Sequence, residues 1–86
     1  MIIPLREFLS SHHPESFPQP WSWQQEQHWL WEHDKEKMTD LFYDITTHGI
    51  IIPVHVGPDA RIWDGHHRIC IAIKLGLHDI PVWFQK

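Results

Sequence analysis

The sequence predicts a small α+β (mixed α/β) domain, with elements in the order β-α-α-β-β-α-β around one small mixed sheet. Short apolar or β-branched runs at 2–5, 50–56, 60–63 and 80–84, bounded by proline and glycine, read as strands. Helical spacing or helix-closing residues mark 23–32, 34–48 and 69–75. With 86 residues, 42% hydrophobic and 21% charged, the chain has the length of one domain (1–86) and the composition of a folded one.

Ile2-Ile3-Pro4-Leu5 is a short strand, and Pro4 places it at a sheet edge or strand end because proline has no N–H to donate. Ser10 to Pro20 reads as a loop, with Pro14, Pro18 and Pro20 separated by polar residues. Ser22-Trp23-Gln24-Gln25 fits a capping box, so a helix is expected from about Trp23 to Glu32. Its apolar positions, Trp23, Trp29, Leu30 and Trp31, form no clean stripe. Asp34 is expected to cap the next helix. Met38, Leu41, Phe42 and Ile45 then follow the i, i+3, i+4, i+7 spacing, and Gly49 stands where a left-handed residue closes a helix.

Ile50 to Val56 is a β-branched run, hence a strand, with Pro53 at an edge or an early unbonded position. Gly57-Pro58-Asp59 is turn chemistry. Ala60 to Trp63 completes a hairpin that Gly65 breaks. Ile69 to Leu75 is apolar almost all round, which predicts a buried helix closed by Gly76. Ile80-Pro81-Val82-Trp83-Phe84 is the last strand.

Charge bears on function. The net charge is −4 with histidine neutral, and no basic stripe is present, which disfavours a binder of nucleic-acid backbones. The acidic excess sits in residues 1–44, with three Lys/Arg against eight Asp/Glu. No apolar run approaches the ~20 residues of a membrane span. Met1 to Glu7 lacks a signal-peptide pattern, and the single cysteine builds no disulfide framework. A cytoplasmic protein without membrane contact is the expectation. Cys70 falls within the apolar helix, where packing is its expected role.

The stretch that carries chemistry is Trp63-Asp64-Gly65-His66-His67-Arg68, between a strand and a helix. A helix start leaves its first N–H groups unpaired and partially positive. Gly65 has no side chain to block an approaching anion. Arg68 falls in the first turn, where a guanidinium forks onto phosphate oxygens, and His66 and His67 donate hydrogen bonds. Together these residues suit a phosphate cradle. Asp64 fits a helix cap, or else a general base or a holder of a phosphate-bound Mg²⁺. His67 fits a phosphate donor, a general acid or base, or a ring stacked on Trp63 or its neighbours. Consecutive histidines on a helix lie about 100° apart, so His66 and His67 do not readily share one metal ion, and no structural metal site is expected, whether or not His48 or His55 is included. His12-His13 reads as a solvated loop pair.

Asp64 to Arg68, followed by Ile69 to Gly76 and then Ile80-Pro81-Val82, resembles the ParB/sulfiredoxin-like superfamily. Upstream, His48-Gly49 and then Ile50 to Val56 resemble that family's helix–glycine–strand entry. The similarity covers roughly residues 34–84, with residues 2–5 matching the opening strand more loosely. Residues 10–33 form an unassigned insertion rich in Trp, His and Pro. The superfamily holds CTP-binding partition proteins, sulfiredoxins, an ADP-dependent free-serine kinase and proteins described as nucleases. The resemblance implies phosphate contacts from Gly65, His66, His67 and Arg68, to CTP, ATP or ADP with Mg²⁺. His66 stands where a sulfiredoxin carries its nucleophilic cysteine, so sulfinic acid reduction by that mechanism is excluded. Only two residues follow Phe84, so no helix-turn-helix for DNA clamping is expected. The serine-kinase version has an Asp-Gly-His-x-Arg turn, the nearest local pattern, and also uses an upstream acidic base. Glu32, Asp34 and Glu36 are candidates by position.

Three functions follow. The first is binding of a nucleotide or other phosphate compound, with phosphoryl transfer or NTP/phosphodiester hydrolysis if the domain is an enzyme; Asp64 and His67 would be its catalytic residues. The second is a non-catalytic protein-binding or inhibitor module, of the compact phage-effector kind. Its acidic half and the cluster Trp21, Trp23, Trp29 and Trp31 would face a protein or a second copy. Those tryptophans equally suit core filling or a lid over a nucleotide base. The third, DNA processing, ranks below both on charge.

Overall fold

The computed structural model describes residues 1–15 and 21–85. Its described elements are β1 (Ile2–Pro4), α1 (Leu5–Ser11), α2 (Trp23–His33), α3 (Lys35–His48), β2 (Val54–Val56), β3 (Ile62–Asp64), α4 (His66–Leu75) and β4 (Asp79–Phe84). The fold is α+β. The strands form one mixed sheet in the order β1-β4-β2-β3, antiparallel at both flanks and parallel at its centre, where Val54 pairs with Val82 and His55 with Trp83.

Proline positions follow the missing donor. Pro4 ends an edge strand. Pro53 lies just outside β2, so no ladder bond is lost there. Pro81 stands in a central strand opposite Ile2. The amide of Val82 donates to Met1, so the nitrogen of Pro81 faces away from β1, at a level before β2 begins.

Val54, Val56, Ile62, Ile80 and Val82 are buried on one face of the sheet, with Leu5 and Phe8 of α1 and Ile69 and Ala72 of α4 packed against them. The other side of α4 carries Cys70 and Ile71, which meet Leu30 of α2 and Met38 and Ile45 of α3. Helix α4 is thus sandwiched between the sheet and the α2–α3 pair, which is why its apolar residues run all round. Alternation along the strands sends His55, Trp63, Pro81 and Trp83 to the opposite face.

Several expectations are met in the elements. The Ser22 capping box is present, with both reciprocal bonds made. Gly76 closes α4 at φ 67°, ψ 37°. Gly49 closes α3 with positive φ, although its ψ is extended rather than helical.

Other expectations are corrected. The loop predicted from Ser10 begins later, because α1 runs through Ser11; its part at 16–20, with Pro18 and Pro20, lies outside the described residues. The strand predicted over 50–56 is only Val54–Val56, and Ile51 and Ile52 are largely exposed in the lead-in loop. Asp34 stands at the N-cap of α3, but its side chain makes no capping bond. The tryptophans divide. Trp23, Trp29 and Trp31 pack against the core, whereas Trp63 and Trp83 are half exposed on the sheet.

Candidate functional site

The β3–α4 turn is tightly built. Gly65 is the N-cap of α4, at φ 120° and ψ 9°, in the left-handed region. Its backbone lies so close to β2 that an added Cβ would meet Val54 Cγ2 at 3.0 Å and Val54 Cα at 3.1 Å. No side chain caps the helix, which corrects the expectation that Asp64 does so. The first intrahelical bond runs from the Ile69 amide to the Gly65 carbonyl, so the amides of His66, His67 and Arg68 precede the helical ladder.

The side chains of the turn diverge. The His66 ring donates through Nε2 to the Pro14 carbonyl at 2.7 Å and tilts against Trp23. Its ring is therefore engaged away from the turn, and its backbone amide stays at the helix start. His67 turns the other way, its Nε2 lying 3.1 Å from Asp34 Oδ2, rather than stacking on Trp63. Among the three upstream acids named by position, Asp34 is the one brought to the turn. Arg68 folds back: one guanidinium nitrogen donates to the Pro53 carbonyl at 3.1 Å and to Asp64 Oδ2 at 3.3 Å.

The Arg68 side chain is 16% exposed and that of Asp64 71%, so the carboxylate is mostly hydrated and the guanidinium mostly not. Nε of Arg68 is buried with no hydrogen-bond acceptor among the described residues. A buried unsatisfied donor costs roughly 1–3 kcal/mol, more when charged.

Two grooves flank α3. A small one, about 200 Å³, is lined by Leu41, Asp44, Ile45, Gly49, Ile50, Ile51, Ile52 and Arg68. A larger open one, about 710 Å³, runs past His33, Asp34 and Lys37 to Asp40, Leu41 and Asp44. Both are lined in part by Leu41 and Asp44; Asp34 belongs to the larger and Arg68 to the smaller. Sequence reasoning missed the apolar wall at Ile50–Ile52, because those residues read as a paired strand. No cluster of three or more His, Cys, Asp or Glu side chains among the described residues is arranged to hold a metal ion. No described helix is long and apolar enough to cross a membrane.

Cys70 has no exposed surface, and burial, together with the negative charge of Glu26, pushes its thiol up to about 12. It is not a nucleophile at neutral pH. With the folded value above the ordinary 9.0, the native state holds its proton longer than the unfolded chain. Stability from this source is intact below pH 9 and falls between about 9 and 12, by about 1.4 kcal/mol per pH unit. Urea denaturation at pH 8.5 and 10.5 is expected to show a steeper loss in the wild type than in Cys70→Ala. Equal losses would show that the thiol ionises freely in the fold.

Neither a scan against protein-family models nor a search of curated proteins finds a match to this chain.

Proposed function

We infer that this domain binds a nucleotide, or another compact phosphate ester, at the start of α4, as a domain of the ParB/sulfiredoxin-like kind. The observation that carries the reading is the buried Nε of Arg68, a cationic donor without an acceptor among the described residues, beside an uncapped helix start. Nε has no exposed surface, so an anion satisfies it once the guanidinium turns outward from Pro53, and the amides at the helix start add their own partial positive charge. The apolar walls at Ile50–Ile52 suit the less polar part of the same ligand.

CTP, ATP and ADP are the ligands to test first. A phosphate-bound Mg²⁺ fits the residues present: Asp64 is an exposed hard-oxygen donor with one oxygen not used by Arg68, and Mg²⁺ is commonly held by one or two carboxylates plus phosphate. When bound, the ion would neutralise phosphate charge next to Asp64. If the domain is catalytic, phosphoryl transfer or NTP or phosphodiester hydrolysis is the class, with Asp64 and His67 at the reacting group. Such chemistry rests mostly on positioning and charge stabilisation.

Thermal shift tests the reading. A ligand at 100 times its Kd adds about 2.7 kcal/mol of stability. At this size that raises Tm by roughly 10 °C or more. The shift is expected with at least one Mg²⁺-nucleotide, and Arg68→Ala is expected to abolish it. If no nucleotide moves Tm, the reading fails.

One observation favours a second reading, a non-catalytic partner-binding module. Trp83, His55 and Trp63 form an aromatic row across β4, β2 and β3, with centroid spacings of 4.4 and 5.3 Å, and both indoles are half exposed. Trp63 lies against Gly57 and donates to Asp59 at 3.1 Å, so its ring is pinned in place. Under this reading every nucleotide is silent, and substituting Arg68 changes stability only.

A further inference from the structure

We propose that the uncovered face of the sheet docks an extended, arginine-bearing peptide of another protein, its guanidinium groups stacked on Trp63 and Trp83. This rests on the partner-binding reading of the aromatic row and names the partner; it holds whether or not α4 takes a nucleotide. The buried strand residues face α1 and α4, so the face of His55, Trp63, Pro81 and Trp83 carries no second layer among the described residues. Ile2, opposite Pro81 and 65% exposed, extends that face to β1.

The rings are held before any partner arrives. His55 lies between the indoles, its Nε2 donating to the Gln85 side-chain oxygen at 2.9 Å. Trp63 packs on Gly57 so closely that no Cβ fits there, and its Nε1 donates to Asp59. Side chains already fixed lose less freedom on binding.

Charge selects a cation. The face of an indole is negative and attracts a guanidinium, and a carboxylate on the indole N–H adds negative charge beside the ring of Trp63. The Arg61 amide, with the Trp63 indole, holds the Asp59 carboxyl below its ordinary value, so it is ionised at neutral pH. Asp64, paired with His55 in the ladder and 71% exposed, is a second carboxylate at this edge. The neighbouring cations point elsewhere: Arg61 bonds Glu15, and Arg68 bonds Pro53 and Asp64. Arginine suits the row better than lysine, because a planar guanidinium both stacks on an indole and forks onto a carboxylate.

Size selects an extended segment. The spacings of 4.4 and 5.3 Å put the two indoles no more than about 10 Å apart, and residues i and i+3 of a polyproline II segment lie about 9 Å apart. One such segment reaches both rings. The face itself, four strands of three to six residues, covers roughly 300 Å². A stable dimer buries about 800 Å² on each partner, and a two-fold contact would gather Asp59 and Asp64 of both copies. A second copy is the poorer occupant, and the same carboxylates repel a nucleic-acid backbone.

The test titrates the wild-type domain with acetyl-Arg-Pro-Pro-Arg-Pro-Pro-Arg-amide, its lysine and citrulline versions, and an oligothymidylate. In nitrogen-15 spectra the arginine peptide is expected to shift the indole N–H signals of Trp63 and Trp83, and not that of Trp23, which donates to the His12 carbonyl. Affinity is expected to fall at least fivefold with lysine and beyond detection with citrulline, which keeps the shape and removes the charge. Trp83→Ala and Asp59→Asn are each expected to weaken the arginine peptide at least threefold, with the backbone amide spectrum confirming the fold. Equal affinity for the lysine and arginine peptides, or shifts confined to other residues, overturns the proposal as general attraction to a chain of net charge −4. Oligothymidylate binding at the two indoles, or their shift on concentrating the protein alone, overturns the peptide while keeping the row a binding surface. If none of these moves Trp63 or Trp83, the partner-binding reading falls with it.

Discussion

Gly65→Ala is expected to lower the free energy of unfolding by about 3 kcal/mol or more, a large share of the roughly 5–15 kcal/mol that holds a domain folded. Two independent terms add. A side chain at φ 120° is strained, and such conformations cost roughly 1–3 kcal/mol. The new Cβ would also press on Val54 Cγ2 at 3.0 Å and its Cα at 3.1 Å, both fixed in a fully buried strand residue. Overpacking of that kind costs roughly 1–3 kcal/mol more. Gly76→Ala is the control. Its φ is also positive, 67°, but no atom lies within 4 Å of the added carbon, so only the conformational term of about 1–2 kcal/mol applies. Urea denaturation of both variants measures the difference. Equal losses would show that β2 yields to the turn, and that the close approach of Gly65 to Val54 is not a constraint.

Phe8→Ala is expected to cost about 3–5 kcal/mol, the range for deleting a buried phenyl ring. Phe8 is 1% exposed, belongs to the cluster under the sheet, and stacks on His12 at 4.4 Å. The measurement is the urea midpoint with an unchanged m-value. A loss below 1 kcal/mol would mean that α1 is only loosely docked and that the sheet and α4 make the core without it.

Helix α1 is also where the sequence was least legible. Leu5, Phe8 and Leu9 do carry the i, i+3, i+4 spacing, but seven residues directly after a β-branched pair and a proline offer too short a window for periodicity to outweigh strand propensity. The opposite error occurred at Ile50–Ile52. Those residues have strand propensity but no partner strand beside them, and propensity without pairing does not make a ladder. Where a local signal was itself sufficient, it held: Ser22 with Gln25 started α2, and Met38, Leu41, Phe42 and Ile45 drew α3.

The same division runs through the candidate site. Asp64 to Arg68 stood out because the chemistry is contiguous, and the structure places the group at one strand-to-helix turn. Where each ring points was not legible, because the partners are remote: Pro14 for His66 and Asp34 for His67, separated by 52 and 33 residues. Asp34 was one of three acids that position allowed, and only tertiary packing of α2, α3 and α4 selects among them.

The last strand sits between the first and the second of its neighbours, so β1 and β2 have no bond to each other. On the ribosome, neither can find its place until β4 has emerged. The nascent chain can form helical turns and the β2–β3 hairpin early, but its apolar sheet face stays open until synthesis reaches residues 79–84. Closing contacts of such long sequence separation is intrinsically slow, so the interval before β4 docks is when this chain is most exposed to aggregation.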